Sequence, residues 1–257
     1  MRTDTIEPEQ ALLRAEGLTM AFEGRVIQRN LDFEIEAGEV FVILGGSGCG
    51  KSTLMRCLIG LQPPRGGRVM YGQRDLYASD QAILSQLRRE FGVMFQSGAL
   101  WSSMTVGENV MLPLQLFSSL EPAARKQEAR FKLALVGLAD SFDAEPSALS
   151  GGMRKRAAIA RAMALNPALL FLDEPSAGLD PITSARLDEL ILHLRDHLGT
   201  TVVMVTHELD SVFTVADRVL FLDSQTRTMS ALGPPRELRD SGPDVVREFL
   251  AQRHSHR

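Results

Sequence analysis

Cysteine is nearly absent from this chain, with two in 257 residues. Cys49 lies in a glycine-rich loop and Cys57 in the helix-like stretch after it, so they are poorly placed to pair. That excludes a disulfide-stapled scaffold and suits a reducing compartment. Positive charge is not in excess either: the net charge is −4 and the sequence pI about 5.8. No global basic field therefore argues for a nucleic-acid partner. No uninterrupted apolar run approaches the ~18 residues of a membrane span, so any membrane role is expected to come through partners. The first residues, Met1-Arg2-Thr3-Asp4-Thr5-Ile6-Glu7, are too polar and acidic for a signal peptide. Internal repeats, heptad insertions and low-complexity tracts are also lacking. What remains is an ordinary globular composition, 44% hydrophobic and 23% charged. Its length fits one large domain, or a core with a smaller inserted lobe.

The most informative stretch is Gly45-Gly46-Ser47-Gly48-Cys49-Gly50-Lys51-Ser52-Thr53. It matches G-x-x-x-x-G-K-[ST], follows the apolar run Val40-Phe41-Val42-Ile43-Leu44 and opens into helix-like Leu54 to Ile59. Strand, glycine loop and helix in that order form the context in which the pattern binds phosphate. Glycines let backbone N–H groups turn inward around the anion, and a helix N-terminus adds a favourable dipole. Lys51 supplies a point charge for the β- and γ-phosphates, and the Ser52 hydroxyl a ligand for Mg²⁺. A glycine-rich turn with a chance lysine is the bland alternative, which the flanking elements disfavour. The expected ligand is a nucleoside triphosphate.

Around this loop the chain alternates in style. Leu12–Ala15, Leu18–Phe22 and Leu31–Ile35 read as separate short strands with turns at Glu23-Gly24 and 36–39. Arg68 to Tyr71 and Arg89 to Gln96 follow as strands. Residues 104–165 read as mostly helical, with Thr105 and Glu108 at capping-box spacing. Apolar strands return at Ala168–Asp173 and Thr201–His207, and such continuous runs separated by helices imply a buried, mainly parallel sheet.

Leu169-Leu170-Phe171-Leu172-Asp173-Glu174 delivers two carboxylates to the carboxyl edge of that sheet, beside the phosphate loop. There Asp173 can hold Mg²⁺ through water, and Glu174 can polarise a water for attack on the γ-phosphate. Leu149-Ser150-Gly151-Gly152-Met153 then precedes a helix carrying Arg154, Lys155, Arg156 and Arg161, a basic cluster read as a solvated helical face.

With these residues in view, the chain resembles the ATP-binding cassette (ABC) ATPases over residues 12 to 235. Six motifs stand in the family's order: phosphate loop, Gln96, the Ser150 signature, the Asp173-Glu174 pair, Ser176-Ala177-Gly178-Leu179-Asp180, and His207. The resemblance implies an α/β P-loop NTPase fold with a mainly parallel core sheet, an N-terminal antiparallel β subdomain and an inserted helical subdomain. It implies one domain over 10–241, the helical insert over 97–165, and a short C-terminal tail over 242–257. It implies ATP as nucleotide, with Glu174, His207 and Gln96 catalytic and Ser52, Gln96 and Asp173 around Mg²⁺. Phe22 resembles the aromatic that stacks on adenine. Ser150, Gly151 and Gly152, a second anion site at a helix start, are implied to contact the ATP of a second copy in a head-to-tail dimer, with Asp180 at the dimer contact. Met153 departs from the family's usual glutamine, and a thioether cannot replace an amide's hydrogen bonds.

Cargo is read from the helical lobe. Gln96-Ser97-Gly98-Ala99-Leu100-Trp101 and Met104 to Val110 resemble ATPases of the Mla/Mce class, which move phospholipids or other lipids between bacterial membranes, and Leu149-Ser150-Gly151-Gly152-Met153 and Asp180-Pro181-Ile182-Thr183 point the same way. That implies a polytopic permease bound through the helical lobe, an Mce-type lipid-binding protein in the same complex, and a peripheral place on the cytoplasmic face of the inner membrane. A generic importer of a polar solute such as an amino acid is the alternative. A soluble cassette acting on ribosomes or DNA is disfavoured by a single cassette without coiled coil or zinc site. Trp101 is expected either to line the permease groove or to sit in the lobe's core. Little sequence follows Val245 to Leu250, so a C-terminal clasp on the opposite subunit is not expected, and 253–257 read as a frayed end.

Overall fold

In the first lobe, side-chain alternation dictates the sheet. The computed structural model describes residues 11–251. Strands β1 (Leu13–Phe22) and β2 (Arg25–Ile35) pair antiparallel across a turn in which Glu23 and Gly24 both have positive φ, 48° and 78°, the pair of left-handed residues that suits a tight hairpin. Leu31, Phe33 and Ile35 are buried while Asp32 and Glu34 face solvent. The two strands expected at 12–15 and 18–22 are a single strand. A register shift between Ala15 and Leu18, with Gly17 at φ 55°, bends it there and restores the inward face at Leu18.

The core sheet starts with β3 (Val40–Gly45), buried throughout, which feeds helix α1 (Lys51–Leu58). Strands β4 (Gly66–Tyr71) and β5 (Arg74–Asp75) complete the first sheet in the order β2-β1-β4-β5. Helix α2 (Gln81–Leu87) and strand β6 (Phe91–Met94) lead into the helical lobe, which comprises α3 (Val106–Phe117), α4 (Pro122–Leu135) and α5 (Gly151–Ala162). Thr105 caps α3 in the expected box with Glu108. The chain then returns to β7 (Leu169–Asp173), α6 (Pro181–Leu198), β8 (Thr201–Val205), α7 (Leu209–Val215), β9 (Arg218–Asp223) and β10 (Thr228–Gly233). It ends in α8 (Pro235–Ser241) and α9 (Asp244–Leu250).

The second sheet runs β10-β9-β3-β8-β7-β6, parallel except for β10. Its register places Asp173 beside Val205, and Ile43 beside the same residue on the other side. The loops after β3, β7 and β8 therefore leave one edge together, where α/β sheets bind ligands. The expected mixed α/β fold, with its antiparallel lobe and parallel-dominated core sheet, is what forms.

The stretch 242–257, expected as a tail, contains a helix. Val246 and Leu250 of α9 are buried, and Phe249 meets the Phe221 ring edge-on at 5.2 Å. Their spacing makes one apolar stripe, enough to dock a short helix on the core. Residue 10, the polar 1–7 stretch and the 253–257 end lie outside the described residues.

Between α6 and α7, Ser211 Oγ donates to Asp188 Oδ2 at 2.9 Å. Burial pushes the Asp188 carboxyl up to about 6, the hydroxyl pulls it back, and Asp210 adds to the rise. The folded protein thus keeps this proton to about pH 6, while the unfolded chain releases it near the ordinary 3.8. More protons bound in the native state means stability present at pH 4 and lost as pH rises through 6. Asp188→Asn should therefore raise Tm above that of the parent at pH 7.5 and leave it unchanged near pH 4. A pH-independent Tm difference would refute the assignment.

Candidate nucleotide and catalytic site

Glycine is required at two points of the phosphate loop. A Cβ on Gly45, at φ 147°, would lie 2.4 Å from the Leu222 carbonyl oxygen, and one on Gly50, at φ 104°, 2.7 Å from Ile27 Cγ2. Gly50 is also the left-handed N-cap from which Lys51 opens α1. Lys51 Nζ donates to the carbonyls of Gly45 at 2.8 Å and Gly46 at 3.2 Å, so the ammonium already lies within the loop. From below, the buried Gln28 fixes the loop, its Nε2 donating to the carbonyls of Cys49 (2.8 Å) and Asp223 (3.0 Å).

A cleft of about 620 Å³ opens over this loop. Gly45, Gly46, Ser47, Gly48, Gly50, Lys51, Ser52 and Thr53 line it, together with Gln96, Glu174 and His207. Three apolar residues absent from the sequence expectations, Ile27, Leu209 and Phe249, complete the wall. Cys49 does not line it: its side chain is buried beside Gly45, and burial raises its thiol pKa. Phe22 is exposed at the tip of β1 and outside the lining, with Ile27 taking the wall position on the neighbouring strand. Gln96 stands two residues past the end of β6, exposed to the cleft rather than within a strand.

The two strand-end carboxylates differ in environment. Burial raises the Asp173 carboxyl, the Glu174 charge adds to the rise, and Arg56 and Lys51 oppose it. Asp173 Oδ1 is a buried acceptor without a hydrogen-bond donor. Asp173 does not line the cleft, whereas Ser52 and Gln96 do; all three side chains offer oxygen donors, the kind a hard cation takes when substrate phosphates and water supply the rest. These residues fit Mg²⁺. Glu174 is only 9% exposed and adopts φ 49°, a left-handed conformation rare outside glycine. Its N–H donates to the Val205 carbonyl at 2.8 Å, and His207 Nδ1 lies 2.9 Å from its carboxylate.

The signature residues lie elsewhere. Ser150 caps α5 by accepting from Met153 N–H at 3.3 Å, and neither it nor Gly151 nor Gly152 lines the cleft. A Cβ on Gly152 would sit 2.4 Å from Thr183 Cγ2, so the start of α5 is seated on the start of α6. Asp180 caps α6 by accepting from Ile182 and Thr183, and the Thr183 hydrogen bonds hold its carboxyl below the usual range. Met153 is half-buried against the core, so its thioether packs instead of bonding.

The basic cluster on α5 is not the solvated face expected from the sequence. Lys155 is buried, with its ammonium on the carbonyls of Glu174 (2.9 Å) and Ala177 (2.6 Å). Arg156 donates to Val136 O at 2.9 Å, and Arg161 to Ala99 and Gly98 at 2.7 and 3.0 Å. Only Arg154 of the four is exposed. Loops that cross a helix face present unpaired carbonyls, and long basic side chains satisfy them.

In the helical lobe the buried Asn109 clamps the loop after Gln96. It accepts from Trp101 N–H at 2.7 Å and donates to the carbonyls of Trp101 (3.0 Å), Met104 (3.3 Å) and Thr105 (2.9 Å). The Trp101 side chain is 59% exposed, which removes the core alternative.

Residues 28–177 match the family model described as ABC transporter. The methionine import ATP-binding protein MetN of Rhodospirillum rubrum is 43% identical over 82% of this chain, which spans 61% of that protein's length. The probable ribonucleotide transport ATP-binding protein mkl of Mycobacterium leprae is 37% identical over 95% of this chain and 70% of its own. Among solved structures, cbiO1 of Clostridium perfringens, part of the transporter complex cbiONQ, superposes with TM-score 0.82 at 30% identity, covering 91% of this chain and 92% of that one. The dimeric cassette MJ0796 bound to ADP and Pi gives 0.78 at 29%, covering 86% and 98%. A chain with a phosphate loop, a strand-end carboxylate pair and a separate serine-glycine signature, matched by this family model over more than half its length, belongs to the ABC transporter family.

Proposed function

We propose that this chain is the ATPase subunit of a membrane transporter and works as a head-to-tail dimer. The observation that carries this is the separation of two anion sites. Lys51 and the phosphate loop line the cleft, whereas Ser150, Gly151 and Gly152 stand outside it at a capped helix start. ATP bound on the loop of one copy is completed by the signature of the other, with Asp180 at the contact between them. Phe22 and Ile27 flank the adenine, Lys51 exchanges the loop carbonyls for phosphate oxygens, and Glu174 takes the proton of the attacking water. His207 holds the Glu174 carboxylate in place, and Gln96 links the γ-phosphate position to the helical lobe. Ser52, Gln96 and Asp173, the last through water, would hold Mg²⁺, which would supply neutralising charge to the phosphates.

Among the described residues no helix is long and apolar enough to cross a membrane. The membrane contact is assigned to the helical lobe, where exposed Trp101 sits on the clamped loop as an aromatic anchor for a permease's cytoplasmic helix. On this reading the chain sits peripherally on the cytoplasmic face of the inner membrane. The Ser97 to Val110 resemblance favours lipid cargo moved with an Mla/Mce-type permease and an Mce-type lipid-binding protein. The 43% identity to a methionine import protein favours the second reading, import of a polar solute. Affinity purification of the native complex separates them. A permease with an Mce-type protein and bound phospholipid is expected. A permease with an amino-acid-binding protein and no enriched lipid would move the assignment to the importer.

A further inference from the structure

Lys155 has no role in phosphate binding, yet its placement is costly. It is 9% exposed, and its ammonium rests on two main-chain carbonyls instead of a carboxylate. Burial lowers its pKa from that of an ordinary lysine, while the charges of Glu174 and Glu208 oppose the shift. A buried cation is poor value for stability alone, since an apolar side chain of similar volume often serves as well. Its two acceptors point to another purpose. One is the carbonyl of Glu174 and the other that of Ala177, so the ammonium closes the turn that follows the catalytic strand.

That turn needs closing. Glu174 holds φ 49°, a strained left-handed conformation that persists only where the surroundings over-determine it. Its N–H is fixed to Val205 O at 2.8 Å, and its carbonyl takes Lys155 at 2.9 Å and the Ala177 N–H at 3.3 Å. Strand β8 thus holds one end of the residue and helix α5 the other, with the carboxylate aimed into the cleft. Helix α5 begins at Ser150 and Gly152, seated on Thr183. One helix therefore carries the signature at its first turn and, five residues after Ser150, a lysine on the backbone of Glu174.

We infer that Lys155 is a positioning residue for Glu174, locking the strained backbone that aims its carboxylate and tying that aim to the signature helix. The inference rests on the reading of Glu174 as the base. A displacement of α5 when the signature meets the partner's ATP would be transmitted directly to the other site's carboxylate.

The test compares Lys155→Met, Lys155→Gln, Glu174→Gln and both double variants in the full chain assembled with its transporter. Misplacement of a reacting group by about 1 Å costs on the order of 10²-fold, so Lys155→Met should lose about that factor in kcat with KM for ATP within about twofold. Lys155→Gln keeps amide donors for the same carbonyls and should recover about tenfold of the loss. On the Glu174→Gln background either change should cost less than about twofold more, because the group being positioned is gone. Near-parental kcat in Lys155→Met, a matching loss of ATP affinity, equal defects in Met and Gln, or additive losses with Glu174→Gln would each overturn the inference. If Lys155→Met melts below the assay temperature, Lys155→Gln carries the same comparison with Glu174→Gln. Near-parental turnover of Glu174→Gln alone would instead refute the base assignment, a distinguishable failure.

Discussion

Glu174→Gln should bind ATP, accumulate as a closed dimer and turn over about 10²–10⁴-fold more slowly, the usual loss when a positioned proton acceptor is removed. At 1.36 kcal/mol per tenfold, that is about 3–5 kcal/mol of transition-state stabilisation. The substitution is nearly isosteric and leaves the backbone alone. The N–H bond to Val205 and the carbonyl contact with Lys155 survive, so the turn keeps its shape. The amide can still face His207, now at 2.9 Å from the carboxylate, but it accepts no proton from water. Phosphate release and equilibrium ATP binding, measured on the same preparation, decide the matter. Turnover within a few-fold of the parent would place the base elsewhere.

Ser150→Arg should separate binding from hydrolysis in a different way. The residue lies outside the cleft, so the isolated subunit should bind ATP with its parental affinity through Lys51 and the untouched loop. Hydrolysis by the assembled dimer should collapse, because bulk and a fixed cation would stand where the partner's γ-phosphate must dock. Losing the cap on Met153 N–H costs about 1 kcal/mol of helix stability, and Ser150→Ala, which loses the same cap without the bulk, is the control. Alanine should therefore retain far more activity than arginine. If Ser150→Arg abolished ATP binding by the monomer as thoroughly as Lys51→Ala, the signature would belong to the same subunit's pocket and the composite site would be wrong.

Much of this was legible because local chemistry dominated. A glycine loop between a buried strand and a helix can hardly fold otherwise, and β3, the loop and α1 stand where the sequence placed them. The Thr105–Glu108 box likewise depends on spacing alone. Other features depend on which segment lies across the way. Nothing in Arg154-Lys155-Arg156 shows that two of the three side chains point at the carbonyls of chain segments 19 to 22 residues distant, so a solvated face was the natural reading. Gln28 was similarly invisible, since its partners Cys49 and Asp223 are brought together only by the fold. Phe249 carried a faint signal. Val246, Phe249 and Leu250 share a helical face, but a short apolar stripe near a chain's end does not say that it reaches the nucleotide cleft.

The Asn109 clamp has a kinetic meaning. A loop that recognises a membrane partner usually loses conformational freedom at the encounter, and that loss weakens and slows association. Here one buried amide has already fixed the backbone from Trp101 to Thr105 during folding of the subunit itself. On the proposed permease contact, the indole is presented like a key on a rigid shank, and assembly is expected to spend little on ordering this loop. On that same proposal, a motion of the lobe would pass to the permease without first taking up slack in this loop.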